Sequence, residues 1–251
     1  MLEEKKSCFD TFPKRKEIKE FVKEVRHYLF PGYFEKNSKN YREKKLKTIK
    51  KLFAKYICCD KDNLNKFVSE LPNLESDLLK DLDFFYESDP ASEGKEEIII
   101  TYPGFYAITF YRIAHIIYTL GISYVPRLIT EIAHSDTGID IHPASKIGSP
   151  FFIDHGTGIV IGETSEIGQY VKMYHGVTLG ALSLKDGREL VGKKRHPTIK
   201  DYVTIYSGAS ILGGETVIEE RATIGSNVFI VNSVVKDTKV IYSEDKIKYI
   251  K

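Results

Sequence analysis

Three short polar strings interrupt an otherwise aliphatic C-terminal half: Asp140-Ile141-His142-Pro143, Asp154-His155-Gly156-Thr157-Gly158 and Arg195-His196-Pro197. His155 is the residue whose surroundings ask for an explanation. Six residues on stands the aliphatic Ile161, and an imidazole in an apolar register costs free energy unless it is hydrogen-bonded. One reading is a satisfied core or turn histidine. The other is a base. Asp154 adjoins His155 and Asp140 lies fifteen residues back, so a chain coiling at roughly 18 residues per turn makes the two neighbours on successive coils. A carboxylate that fixes the tautomer of an imidazole is the standard way to activate a hydroxyl at neutral pH. A metal is the competing use of His142, His155, His175 and His196. No close His-x4-His pair is present, and a three-histidine site must converge on one point, so no metal is expected. Cys8, Cys58 and Cys59 all precede this region. An acyl-cysteine intermediate is therefore not expected, and an odd count with two adjacent thiols suggests neither a disulfide framework nor a zinc site.

The elements that must position these residues follow two grammars. From about Lys14 to Ala133 the apolar spacing is helical: Ile18, Phe21, Val22, Val25 and Leu29 fall on one face, as do Leu46, Ile49, Phe53 and Tyr56, and then Leu74, Leu78, Leu82 and Phe85. Pro31-Gly32 and Asp89-Pro90 punctuate the segments. The basic run Arg42 to Lys51 reads as a solvated helix face. The apolar stretch Ile98 to Pro126 is broken by Pro103, Gly104, Arg112 and His115, so it reads as buried helix and not as a membrane span. The start, MLEEKKSCFD, has no apolar run of the secretory kind. With 37 basic against 35 acidic residues in a chain of 251, a net charge of +2 gives no nucleic-acid signal.

After Ser135 the period becomes six. Ile141, Ile147, Ile153, Ile159, Ser165, Val171 and Val177 form one ladder, and Ile161, Ile167, Met173 and Leu179 a second. Glycine follows the aliphatic position repeatedly, as in Ile147-Gly148 and Ile161-Gly162. Hexads of this kind predict a parallel β-helix in which three strands and three turns close each coil. Between Leu179 and Ile199 the ladder is interrupted by a polar segment, about 182–195, too long for a coil and expected to loop out. The repeat resumes at Val203/Ile205 and runs to Val228/Ile230, with one seven-residue step around Gly213-Gly214. The expected organisation is a helical domain over 1–135, a β-helix over 136–240 and a charged tail over 241–251.

The strings DIHPASKIG, DHGTGIVIGETSEIG, VTLGA and RHPTI, in that order, resemble those of serine O-acetyltransferases, the hexapeptide-repeat family that opens cysteine synthesis. Asp89-Pro90 and YPGFYAITFYRIAH resemble the helical region that precedes the family's β-helix, and the likeness covers about residues 89–235. It implies an α-helical domain followed by a left-handed parallel β-helix, an α+β chain that moves acetyl from acetyl-CoA to the L-serine hydroxyl. His155 is implied as the general base and Asp140 as its support. Asp89 and Asp154 would hold the substrate ammonium, and Arg195 and His196 its carboxylate. Glu163 matches an acidic position near the site. Gly180, Ala181, Ser207 and Gly208 match positions along the CoA arm, with Lys193 and Lys194 near its phosphates or simply in a solvated loop.

The odd cysteine count fits reduced thiols in a cytoplasmic protein; the resemblance implies a homotrimer or dimer of trimers, each site lying between two β-helices, and feedback inhibition by L-cysteine. The loop before Arg195 resembles a long-loop subgroup, and the family's usual Gly-x-Pro-Ala stretch after the last coil is absent. Members that dock cysteine synthase end in isoleucine; Lys251 as the last residue leaves that partnership unexpected. The alternatives are a related O-acetyltransferase acting on a sugar or drug hydroxyl, a non-catalytic scaffold and a metal-dependent hydratase. Asp89 and Arg195 favour the amino acid, because a zwitterion needs both an anion and a cation.

Overall fold

The helical grammar resolves into α1 (Arg15–Leu29), α2 (Tyr41–Leu52), α3 (Lys61–Ser88), α4 (Lys95–Thr101), α5 (Pro103–Thr119) and α6 (Val125–Thr137). The computed structural model describes residues 12–183, 185 and 187–242; Cys8 and Lys251 lie outside the described residues. The apolar stretch from Ile98 is two helices, α4 and α5, that break at Tyr102-Pro103, and no described helix is long and apolar enough to cross a membrane. Helix α6 runs past Ala133 to Thr137. It stops at Gly138, whose left-handed backbone (φ 74°) lets its N–H cap the carbonyl of His134.

The hexads form three parallel sheets. Face A stacks β1 (Asp140–Ile141), β4 (Val160–Ile161), β7 (Thr178–Gly180), β10 (Ser210–Leu212) and β13 (Phe229–Ile230). Face B stacks β2 (Lys146–Ile147), β5 (Glu166–Ile167), β8 (Thr198–Ile199) and β11 (Val217–Ile218). Face C stacks β3 (Phe151–Asp154), β6 (Val171–Tyr174), β9 (Thr204–Ile205), β12 (Thr223–Ile224) and β14 (Lys239–Val240). The chain visits A, B and C in turn, which makes the parallel β-helix that the hexads predict. Each face points two residues inward, i and i+2, as in Ile159/Ile161 and Val171/Met173, and these fill the prism completely.

The first coil would present an open sheet edge, and the helices cover it. Phe85 packs edge-on against Phe152 of β3, with ring centroids 4.9 Å apart. A Cβ on Gly104 of α5 would stand 2.4 Å from the Ile153 carbonyl oxygen, so only glycine allows this close approach. Beneath these contacts lies a fully buried ion pair. Arg112 of α5 grips both oxygens of Asp81 of α3, at 2.6 and 2.9 Å. It also donates to the carbonyls of Ile147 and Gly148. Asp81 in turn accepts the N–H of Phe151. The pair therefore satisfies backbone groups of the first coil and joins α3 and α5 to β3.

Candidate active site

The corner between faces C and A carries His155. The paired inward residues are Phe151/Ile153 on face C and Ile159/Ile161 on face A, a step of eight, whereas the next coil steps six from Val171/Met173 to Val177/Leu179. The turn at His155 is two residues longer than its successors. The sequence ladders hide this. Both members of the pairs that flank this turn are apolar, so a slip of two merely exchanges one ladder for the other. The additional residues bulge outward with His155 at φ 54° and Gly156 at φ 90°. A side chain on Gly156 would collide with Ile139 and Ile153, at 2.4 and 2.8 Å, so the residue after the histidine must be glycine. The His155 side chain is 74% exposed, its Nδ1 3.7 Å from Asp154 Oδ1. Its ring centroid is 5.8 Å from that of His175 on the next coil.

Two carboxylates face this corner. Asp154 ends β3 opposite Tyr174 of β6. Asp89 terminates α3, where Oδ1 accepts the N–H of Ala91 and Oδ2 the hydroxyl of Tyr102 at 2.7 Å. Burial and this bond push the Tyr102 phenol up to about 12, so it stays a donor. The Tyr174 phenol is also raised, first by burial and then by the charges of Asp154 and Asp89 together. Two carboxylates 65 positions apart in the chain thus both bring negative charge to Tyr174, the partner of Asp154 on the next coil. The packing of α3 on β3 puts them there.

The corner between faces A and B is tightly hydrogen-bonded and holds an ion pair. The long connection from β7 to β8 leaves the coil, makes one 3₁₀ turn at Gly187–Leu190 and returns through Arg195 and His196. The Arg195 guanidinium bonds Glu163 and the Leu190 carbonyl. Burial works against the Glu163 charge, yet Arg195 holds its carboxyl below the ordinary range. His196 is buried. Its Nδ1 accepts the Thr164 N–H at 3.1 Å, so the neutral ring carries its proton on Nε2. Burial and the Arg195 charge lower its pKa to about 4. His142 shares this corner; burial lowers its pKa too, against the charge of Glu163.

Within one chain the sequence-predicted site therefore divides in two. Asp89, Asp154, His155, Ser207 and Gly208 gather at the first corner, and Arg195, His196, Gly180 and Ala181 at the second. Face A lies between them, with a strand of two or three residues at each coil. Asp140 stands outward on that face in register with Val160, not with His155, and its Oδ1 is 3.1 Å from Arg127. The longer turn leaves His155 five residues short of Val160, and among the described residues no ion pair joins Asp140 to His155 inside one chain. Lys194, read as a phosphate contact or a solvated charge, turns its Nζ to the carbonyls of Thr164 and Pro197. Sequence reasoning missed Thr164 and Tyr102, whose side chains hold the predicted residues. Nothing in their local pattern distinguishes them from ordinary turn and helix-end residues.

Among the described residues, two clusters bring metal-type ligand atoms within 4.8 Å of one another, Glu24/His27/Glu35 and Glu131/His134/Asp140. Each already holds a cation of the protein. Lys45 Nζ lies 3.0 Å from Glu24 and 2.8 Å from Glu35, and Arg127 bridges Glu131 and Asp140.

No protein-family model matches the chain. The chain is 48% identical over 171 residues to a plasmid-encoded serine acetyltransferase of Synechococcus elongatus, a match covering 67% of this chain but only 53% of that relative. It is 44% identical over 164 residues to the serine acetyltransferase of Bacillus licheniformis, covering 65% of this chain and 73% of that one. Among solved structures, Entamoeba histolytica serine acetyltransferase 1 in complex with L-cysteine superposes with a TM-score of 0.79 at 35% identity, covering 94% of this chain and 90% of that one. Two further serine acetyltransferase structures, each 26% identical, hold serine (Neisseria gonorrhoeae; TM-score 0.67; 92% of this chain and 83% of that one) and CoA (TM-score 0.63; 87% and 79%).

Proposed function

The chain belongs to the serine acetyltransferase family, and from that premise we propose that it transfers acetyl from acetyl-CoA to the hydroxyl of L-serine. The observation that carries the reading is the separation of a corner bearing Asp154 and the exposed imidazole of His155 from a corner bearing Arg195 and its Glu163 partner. Together they match the ammonium, hydroxyl and carboxylate of a serine zwitterion. One amino acid cannot span face A. The site is therefore proposed to lie between two copies in a cyclic trimer, where the first corner of one β-helix meets the second corner of its neighbour.

In this arrangement Asp89 and Asp154 receive the ammonium. Arg195 offers a charged fork to the carboxylate, and His196 adds a neutral Nε2–H. His155 takes the proton as the serine oxygen attacks the thioester carbon. When the C–S bond breaks, the protonated imidazole returns that proton to the CoA sulfur. Such general acid–base work is worth on the order of 10²–10⁴ in rate. Asp140, outward on face A, supports the His155 of the adjacent copy. The CoA arm follows the same cleft past Gly180 and Ala181 on one side and Ser207 and Gly208 on the other. Both substrates meet in a ternary complex in the cytoplasm. L-Cysteine keeps both charged ends of serine and is expected to compete for the same pocket.

The test is release of CoA thiol from acetyl-CoA with L-serine set against sugar and other hydroxyl acceptors. Strong dependence on L-serine is expected. Equal release with and without it would remove the reading.

A further inference from the structure

We propose that Thr164 is the positioning residue that turns the root of the long loop into a clamp for the substrate carboxylate, acting through Arg195 and His196. The inference rests on the serine-transfer reading above. A threonine hydroxyl has one proton to give and two lone pairs, and here all three are engaged. The oxygen accepts the Arg195 N–H at 2.9 Å and the His196 N–H at 3.0 Å. With both lone pairs occupied, its proton faces Nδ1 of His196 at 2.9 Å. The Thr164 N–H donates to the same nitrogen, and the Thr164 carbonyl accepts Lys194 Nζ at 2.6 Å. One residue thus holds three consecutive residues, 194 to 196, that lie thirty or more positions away.

Its two predecessors complete the device. Glu163 engages the Arg195 guanidinium. Gly162 provides a flat floor, since a Cβ there would stand 2.0 Å from the His196 ring. Gly162, Glu163 and Thr164 therefore address the ring, the guanidinium and the backbone of the clamp in turn. The chain ahead of it is a long excursion whose described residues hold one short 3₁₀ segment, and a loose loop end would present Arg195 and His196 in many directions. Fixing donors before the ligand arrives removes that entropy from binding. Valine at 164 keeps the shape and the backbone N–H that meets His196 Nδ1, but it leaves the part-buried N–H groups of Arg195 and His196 without their acceptor and removes the hydroxyl from Nδ1.

The experiment compares wild-type protein, Thr164→Val and Thr164→Ser with acetyl-CoA and either L-serine or L-serinamide, whose uncharged amide replaces the carboxylate. We expect T164V to raise KM for L-serine at least tenfold while KM for acetyl-CoA stays within twofold. T164S should behave as wild type, and the T164V penalty should vanish with L-serinamide. An unchanged KM for L-serine, an equal penalty with L-serinamide, or a T164S as impaired as T164V overturns the inference alone. A wild type indifferent between the two acceptors overturns the carboxylate reading and this inference with it. Should T164V not fold, nitrogen NMR of the wild-type histidines decides: His196 must carry its proton on Nε2, and a proton on Nδ1 overturns the proposal.

Discussion

The imidazole of His196 lies directly over the α-carbon of Gly162: a methyl group built there would stand 2.0 Å from Cδ2 and 2.1 Å from Nε2. No rotation within the site relieves such an approach, because Nδ1 is tied to Thr164. Gly162→Ala is therefore expected to expel the ring and raise KM for L-serine at least about tenfold, the size of a displaced positioning group. Steady-state kinetics with each substrate varied checks this, and acetyl-CoA should be little affected.

His155→Ala should cut turnover at least about a hundredfold. The side chain is mostly exposed and packs no core. Its loss should move the melting temperature little, as surface substitutions shift stability by only about 0.5 kcal/mol. Near-normal turnover in a folded variant would reject the base assignment.

The coil architecture was legible because a strict hexad is a property of each face on its own, readable without knowing which strands stack. What was not legible depends on phase or on partners distant in sequence. The two extra residues at His155 left both aliphatic ladders intact. Asp89 looked like an ordinary helix stop, and only the docking of Phe84 and Phe85 on β3 and its neighbours brings it beside Asp154. Arg195 and His196 could be named from their string, but their partner Thr164 could not, because the long loop removes any fixed spacing between them. Counting eighteen residues to a coil makes Asp140 and His155 neighbours. The first coil takes twenty, from Asp140 to its partner Val160.

The buried Asp81–Arg112 pair makes a stability prediction. Arg112→Ala leaves a carboxylate with no exposed surface unpaired and two carbonyls of the first coil without their donor. Breaking one side of a buried pair costs about 3–5 kcal/mol, which denaturant titration would detect as a lower midpoint. Because α3 also carries Asp89, KM for L-serine should rise in whatever fraction stays folded. A loss below about 1 kcal/mol would mean that the pair is dispensable to the joint.

His196 supplies a pH dependence whose sign is fixed by its direction of shift. Its folded pKa is about 4 against an ordinary 6.5, so between those values the unfolded chain binds a proton that the folded chain refuses. Stability from this group is fully present above about pH 6.5 and is lost as pH falls toward 4, with a ceiling on the order of 3 kcal/mol. His27 and His142 are also lowered, chiefly by burial, and contribute in the same direction. His196→Gln retains an amide that can meet Thr164 but cannot titrate. Denaturation midpoints measured between pH 4 and 7 should therefore fall less steeply with acid in the variant than in the wild type. Identical slopes would show that His196 is not held neutral in the folded state, and with that the Nε2–H offered to the substrate carboxylate would lose its basis.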